Sequence, residues 1–189
     1  MNEDYKIIQF SEISKDIIEY IKSNTFYFSA CLCVHDMKIL SGLLLTSTNE
    51  ITPFYKFCFE IKKLYPEYKE NILSLEYNLA ISSTLMAIKW MEFTKDSDRY
   101  NLQFRTACDD LVPDSFKQLH NITLPFNDPF WTNFFPPNDY CDRSTVVRVR
   151  KNKYPISDSK KASELAKEAI SPLFWFNSGI DKYPIERFL

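Results

Sequence analysis

The sequence predicts an α+β fold that is mainly helical, on three observations. Residues 67–95 repeat their apolar side chains at steps of three and four, the period of a helix face. LQFRT (102–106) and TVVRVRK (145–151) instead alternate, as strands do. Between these two runs lies NDPFWTNFFPPNDY (127–140), dense in proline and aromatic residues, in a chain with only two glycines. The expected organisation is a helical N-terminal region over 1–95, then a smaller domain over 96–189 with a two-stranded sheet, a Pro/aromatic-rich loop and a C-terminal helix.

In chain order, SEISKDIIEYIKS (11–23) sets Ile13, Ile17, Ile18 and Ile21 at helical spacing, with Ser11 or Ser14 as the cap. Residues 24–45 carry strand formers up to Val34 and leucines beyond, and read as a loop followed by a helix ending near Gly42. Thr52 caps the next helix, with Pro53 in its first turn; Phe54, Phe57, Ile61 and Leu64 form its apolar stripe and Pro66 stops it. The long helix over 67–95 has about seven or eight turns and turns Ile72, Leu75, Leu79, Met86, Trp90 and Phe93 inward. Along it Ala80, Ser83, Thr84 and Ala87 form a strip of small side chains, suited to a closely packed helix of this chain or to a docking subunit. DSDRYN (96–101) breaks the helix. The two alternating runs should pair, with Val147 and Val149 on one face and Arg148 and Arg150 on the other. A last helix covers about 159–170, turning Ala162, Leu165, Ala166 and Ala169 inward. The aromatic tail SPLFWFNSGIDKYPIERFL lacks a period and is expected to pack as an extended strap.

At 45% hydrophobic and 16% aromatic residues, the chain has the apolar surface that a folded core requires. Lys and Arg number 23 against 25 Asp and Glu, which argues against a chain-wide basic surface for nucleic acid and leaves local patches. Cys31, Cys33, Cys58, Cys108 and Cys141 fit neither paired CxxC spacing nor a disulfide framework, and are expected to be reduced and mostly buried. MNEDYKIIQF lacks the basic start and apolar run of a signal peptide, so the chain is expected to stay in the cytoplasm when made. ILSGLLLTS is far shorter than the ~20 residues a bilayer-spanning helix needs, so no membrane role is expected. GxSxG and HExxH are missing, and glycines only at 42 and 179 cannot build a phosphate loop; the motifs give no support for an enzyme.

Pro125, Pro129, Pro136 and Pro137 each fix a backbone angle and remove a donor, which sets a loop that is neither helix nor sheet. Phe130, Trp131, Phe134 and Phe135 supply the apolar mass that pins it to the sheet. Asp109 and Asp110 are adjacent on an extended segment, so their side chains point apart and a shared acid–base role is disfavoured. One of them is expected to pair with Arg105 or Arg143, holding the strand to the Pro136-Pro137-Asn138 loop. Arg148 and Arg150 would stand about 7 Å apart on one strand face, close to the phosphate spacing along a DNA strand. With Lys151 and Lys153 they are candidate DNA contacts, set against the commoner reading of a solvated strand face.

LEYNLAISSTLMAIKWMEF, then NLQFRTACDDLVPDSFKQLHNITLPFNDPFW, then FFPPNDYCDRSTVVRVRKNKYP resemble, in that order, the phage Mu protein F-like family of minor head proteins, also called phage head morphogenesis proteins. The version they are most similar to occurs in phages and prophages of Bacteroidetes. The resemblance covers roughly residues 75–160, and FYFSACLCVHDMKILSGLLL and ITPFYKF resemble the same group's N-terminal part. It implies a few-copy structural component of the virion head interior, made in the host cytoplasm, with the portal and other head proteins as partners and packaged DNA as a candidate partner. Its motif residues here are Arg105, Asp109, Asp110, Trp131, Pro136, Pro137, Asn138 and Arg143. The family pattern has a histidine after the acidic pair and a Cys-Arg-Cys after Pro-Pro-Asn. Those positions are Phe116, Asp142 and Ser144 here, so no metal or cofactor is expected. A site rebuilt from His120 and Cys141 would need two coincidences at once. The competing readings are an enzyme or toxin-like effector with a repositioned site, and a cellular interaction module on the same fold.

Overall fold

The computed structural model describes residues 15–95 and 97–189, so Ile13 and the expected caps Ser11 and Ser14 lie outside the described residues. Helices α1 (Lys15–Ser23), α2 (Val34–Gly42) and α3 (Phe54–Leu64) lead into α4 (Glu70–Thr94). Thr52 does not cap α3. Its backbone N–H donates to the Leu44 carbonyl and its own carbonyl accepts the Tyr77 hydroxyl, leaving Pro53 at the cap position.

Helix α4 is buried over more than one stripe, and this is why its periodicity is strong but its inward face broad. Leu73 and Tyr77 take deep positions, while Ile72 and Leu75 are only half-buried. Ala80, Ser83, Thr84 and Ala87 are all buried within this chain, so the strip serves internal packing and offers no open groove to a second subunit.

Helix α4 also buries Glu76, which is 4% exposed. Its carboxylate accepts the Ser29 backbone N–H at 3.1 Å and the Tyr68 hydroxyl. Burial nevertheless pushes the carboxyl above its usual range. A carboxyl raised in the folded state holds its proton more tightly there than in the unfolded chain. Its contribution to stability is therefore full at low pH and is lost as pH rises through the folded value. Glu76→Gln keeps an acceptor for Ser29 and a donor for the Tyr68 oxygen but cannot ionise. The variant should be more stable than wild type at about pH 8, with the difference closing towards about pH 4, as read by urea denaturation across that range.

After α4 the chain enters β1 (Tyr100–Thr106), α5 (Asp114–Lys117), β2 (Thr123–Pro125), α6 (Phe130–Phe134) and β3 (Ser144–Arg150). Strands β1 and β3 pair antiparallel over their full length, from Tyr100↔Arg150 to Thr106↔Ser144. The sheet has three strands rather than two, in the order β2-β1-β3. Strand β2 is three residues long and ends in proline, which confines it to an edge.

Directly opposed residues share a sheet face. Leu102, Phe104, Leu124 and Val146 fill one face, and Asn101, Gln103, Thr123 and Val149 are buried on the other. Val147 and Val149 do lie on the face opposite Arg148 and Arg150 as the alternation predicts, but Val146, on the arginine side, is the strand's deepest residue.

The Pro/aromatic segment departs from the expected loop. Phe130–Phe134 is one turn of helix, started by Asp128, whose Oδ1 accepts the Phe130 N–H at 2.9 Å and the Ser159 hydroxyl at 2.8 Å. Helix α7 (Ser159–Ala169) begins at Asp158, whose side chain accepts the Lys161 N–H.

The tail is not an extended strap. It folds into a 3-10 turn at Pro172–Phe174, helix α8 (Ser178–Asp181) and a second 3-10 turn at Ile185–Arg187. It also returns to the start of the described chain. The Tyr183 N–H donates to Asn24 Oδ1 at 3.0 Å, and the Tyr20 hydroxyl to the Ser178 carbonyl at 3.0 Å. Buried side chains from both halves accordingly form one continuous core. Only Cys31 and Cys58 are buried; Cys33, Cys108 and Cys141 sit at a helix start or in turns and are exposed, against the expectation that most would be inside.

Candidate functional site

Asp109 and Arg143 meet just beyond the Thr106↔Ser144 pair, where β1 ends and β3 begins. Beyond β1, Asp109 reaches Arg143, with Oδ2 2.7 Å from Nη1. This is the expected link between strand and loop. The charges are close but the pair is partly solvated, so it contributes about 1 kcal/mol or less. Asp110 is exposed, and Arg105 turns elsewhere.

The Pro136-Pro137-Asn138 loop, with its Pro136–Pro137 peptide cis, is closed by one carboxylate. Asp142 Oδ2 accepts the Asn138 N–H at 2.7 Å and Oδ1 accepts the Ser144 N–H at 2.8 Å. Burial holds this carboxyl above its usual range in spite of those bonds. Asn138 is buried and donates from Nδ2 to the Phe134 carbonyl at 3.2 Å. Trp131 is fully buried, with Nε1 donating to the Pro125 carbonyl at 3.0 Å. Trp131 and Asn138 are therefore architectural. Phe130, Trp131, Phe134 and Phe135 all face the core.

A cavity of about 20 Å³, the size of one water, lies among Thr106, Phe116, Cys141, Asp142 and Arg143. Phe116 and Asp142 thus line one space, and Ser144 is hydrogen-bonded to Asp142. The donor set does not fit a thiolate–imidazole metal. Phe116 has no donor atom, and both Asp142 oxygens are engaged by backbone N–H groups. Among the described residues no group of three or more His, Cys, Asp and Glu stands close enough to hold a metal ion.

His120 approaches Cys108, a residue the sequence reading did not single out. Nδ1 lies 3.2 Å from Cys108 Sγ and 3.2 Å from both the N and the O of Thr106. Nε2 lies 3.4 Å from Arg105 Nη1. Strand β2 would have been the signal: the Asn121 N–H bonds to the Phe104 carbonyl, and this brings His120 beside the end of β1.

The basic run is at the opposite end of the strands. Arg150, Lys151 and Lys153 are exposed. The Arg148 guanidinium lies 5.4 Å from the Phe93 ring centre and 5.5 Å from that of Tyr100, so it is braced and not simply solvated.

Fold and site together define a mainly helical α+β protein whose strand ends are locked to a proline loop by two carboxylates. No protein family, curated protein or solved structure matches this chain. No helix among the described residues is long and apolar enough to cross a membrane.

Proposed function

We propose that this chain is a structural minor head protein of a tailed phage or prophage, acting in head assembly or DNA loading beside the portal and without catalytic activity. The observation that supports this reading most is the convergence of its motif segments. Arg143 binds Asp109, Asp142 closes the Pro-Pro-Asn loop, and Phe116 and Asp142 share a cavity, as segments carrying one family's site would. On this reading the family's ligand positions are taken by Phe116, the hydrogen-bonded Asp142 and Ser144. Mass spectrometry of particles purified from the producing phage or an induced prophage should find the chain inside the head at a few copies. Particles that lack it would overturn the proposal.

Inside a DNA-filled head, Arg148, Arg150, Lys151 and Lys153 would meet phosphate. Replacing Arg148 and Arg150 together by Ser should weaken binding to any duplex and reduce the salt slope by roughly one to two units. Because Arg148 rests on two rings, folding should lose about 1 kcal/mol, more than an ordinary surface change. A wild type that binds no duplex at low salt would exclude the DNA role.

A further inference from the structure

We propose that Cys108 and His120 form a thiol–imidazole pair that exchanges with low-molecular-weight disulfides, so that Cys108 is a site of mixed-disulfide formation on this protein. The inference does not depend on the head-protein reading.

Cys33, Cys108 and Cys141 are all exposed. Exposure alone does not make a thiol reactive, because the thiolate is the attacking species and something must take its proton. Among the described residues only Cys108 has an imidazole nitrogen within hydrogen-bond reach, at 3.2 Å. The ring is held ready for either protonation state. A neutral Nδ1 accepts the Thr106 N–H at 3.2 Å, and a protonated Nδ1 has the Thr106 carbonyl as its acceptor at 3.2 Å. The thiol proton can pass to this nitrogen in exchange for the Thr106 N–H bond, since sulfur and that N–H share it at 3.2 Å. Arg105 Nη1 stands 3.4 Å from the far nitrogen, which it faces as a donor only. Other charges around the thiol are mixed. Lys117 is paired with Asp114 at 3.0 Å, Asp109 and Asp110 follow Cys108 in the chain, and Arg143 offsets Asp109. An uncharged disulfide is thus the cleanest probe. Cys108 has φ 56, in the left-handed region, as the chain turns out of β1.

The step balances without an added oxidant. His120 Nδ1 takes the Cys108 proton, Sγ attacks one sulfur of the disulfide, and an S–S bond forms to the protein as the original S–S bond breaks. The departing thiolate takes the proton back from His120. Protein and small molecule end as one mixed disulfide and one free thiol.

The test treats the fully reduced protein with bis(hydroxyethyl) disulfide and follows each cysteine by peptide mass mapping. Cys108 should react about tenfold or more faster than Cys33 and Cys141 in the same molecule, and His120→Gln should reduce the Cys108 rate by about tenfold while leaving the other two unchanged. Equal rates at the three exposed cysteines of the wild type would overturn the proposal, and this comparison needs no variant to fold. A His120→Gln protein that melts like wild type yet reacts as fast at Cys108 would overturn it as well.

Discussion

Replacing Trp131 by Ala should lower stability by about 3–5 kcal/mol, the range for deleting a large ring from a packed core. The ring is fully buried and meets Phe130 edge-on at 4.9 Å and Phe135 at 6.3 Å between centres. Its Nε1–H is the donor to the Pro125 carbonyl, so truncation leaves a cavity and an orphaned acceptor together. Trp131→Phe separates the two terms: it keeps most of the apolar contact, loses the donor and should cost only about 1–2 kcal/mol. Thermal melts of a domain this size translate the Ala variant into a fall of roughly 10 °C. An unchanged melting temperature would mean that the ring does not anchor the segment, and the case for Trp131 as architecture would fail.

Anchoring of this kind was legible in advance because it depends on residue type. Four large rings among prolines must find cover, and a 3.6-residue period must make a helix, whatever the rest of the chain does. Strands β1 and β3 were legible for the same local reason. Strand β2 was not, because three residues have no period and its pairing is decided by the partner strand. The tail was hidden for a related reason. Its short helices exist because Asn177 donates to the Trp131 carbonyl at 3.0 Å and Tyr183 to Asn24, contacts across much of the chain.

The site divides along the same line. Opposite charges near one another predicted that an aspartate would take Arg143 or Arg105, and Asp109 takes Arg143. The meeting of Cys108 with His120 required knowledge of β2, and Arg148's seat on Phe93 and Tyr100 required the packing of α4 against the sheet. Glu76 was concealed on a helix face read as apolar, since its partners Ser29 and Tyr68 lie on separate segments.

Gly179 gives a second large effect, and Gly42 serves as its control. A Cβ added at Gly179 would stand 2.5 Å from Trp90 Cβ and 2.6 Å from Cγ and Cδ1. These atoms are the root of the indole, not the end of a flexible chain, so rotation gives little relief. Trp90 is also fixed by its stack on Phe126 at 4.5 Å and its edge contact with Phe135 at 5.0 Å. Helix α8 must therefore lift from α4, straining the Tyr20–Ser178 hydrogen bond that closes the chain. Gly179→Ala should cost about 3 kcal/mol, the upper end for overpacking. At Gly42 an added Cβ meets nothing within 4 Å at the end of α2, so Gly42→Ala should be neutral or stabilise by up to about 1 kcal/mol. The same substitution should thus lower the urea midpoint at Gly179 and leave it unchanged or raise it at Gly42. Trimming the obstacle with Trp90→Ala, which removes Cγ and Cδ1 and keeps only Cβ, should cost less in the Gly179→Ala background than alone, because the two side chains compete for one space. Additive effects would mean that α8 is not seated on Trp90, and the closed arrangement of tail and long helix would have to be abandoned.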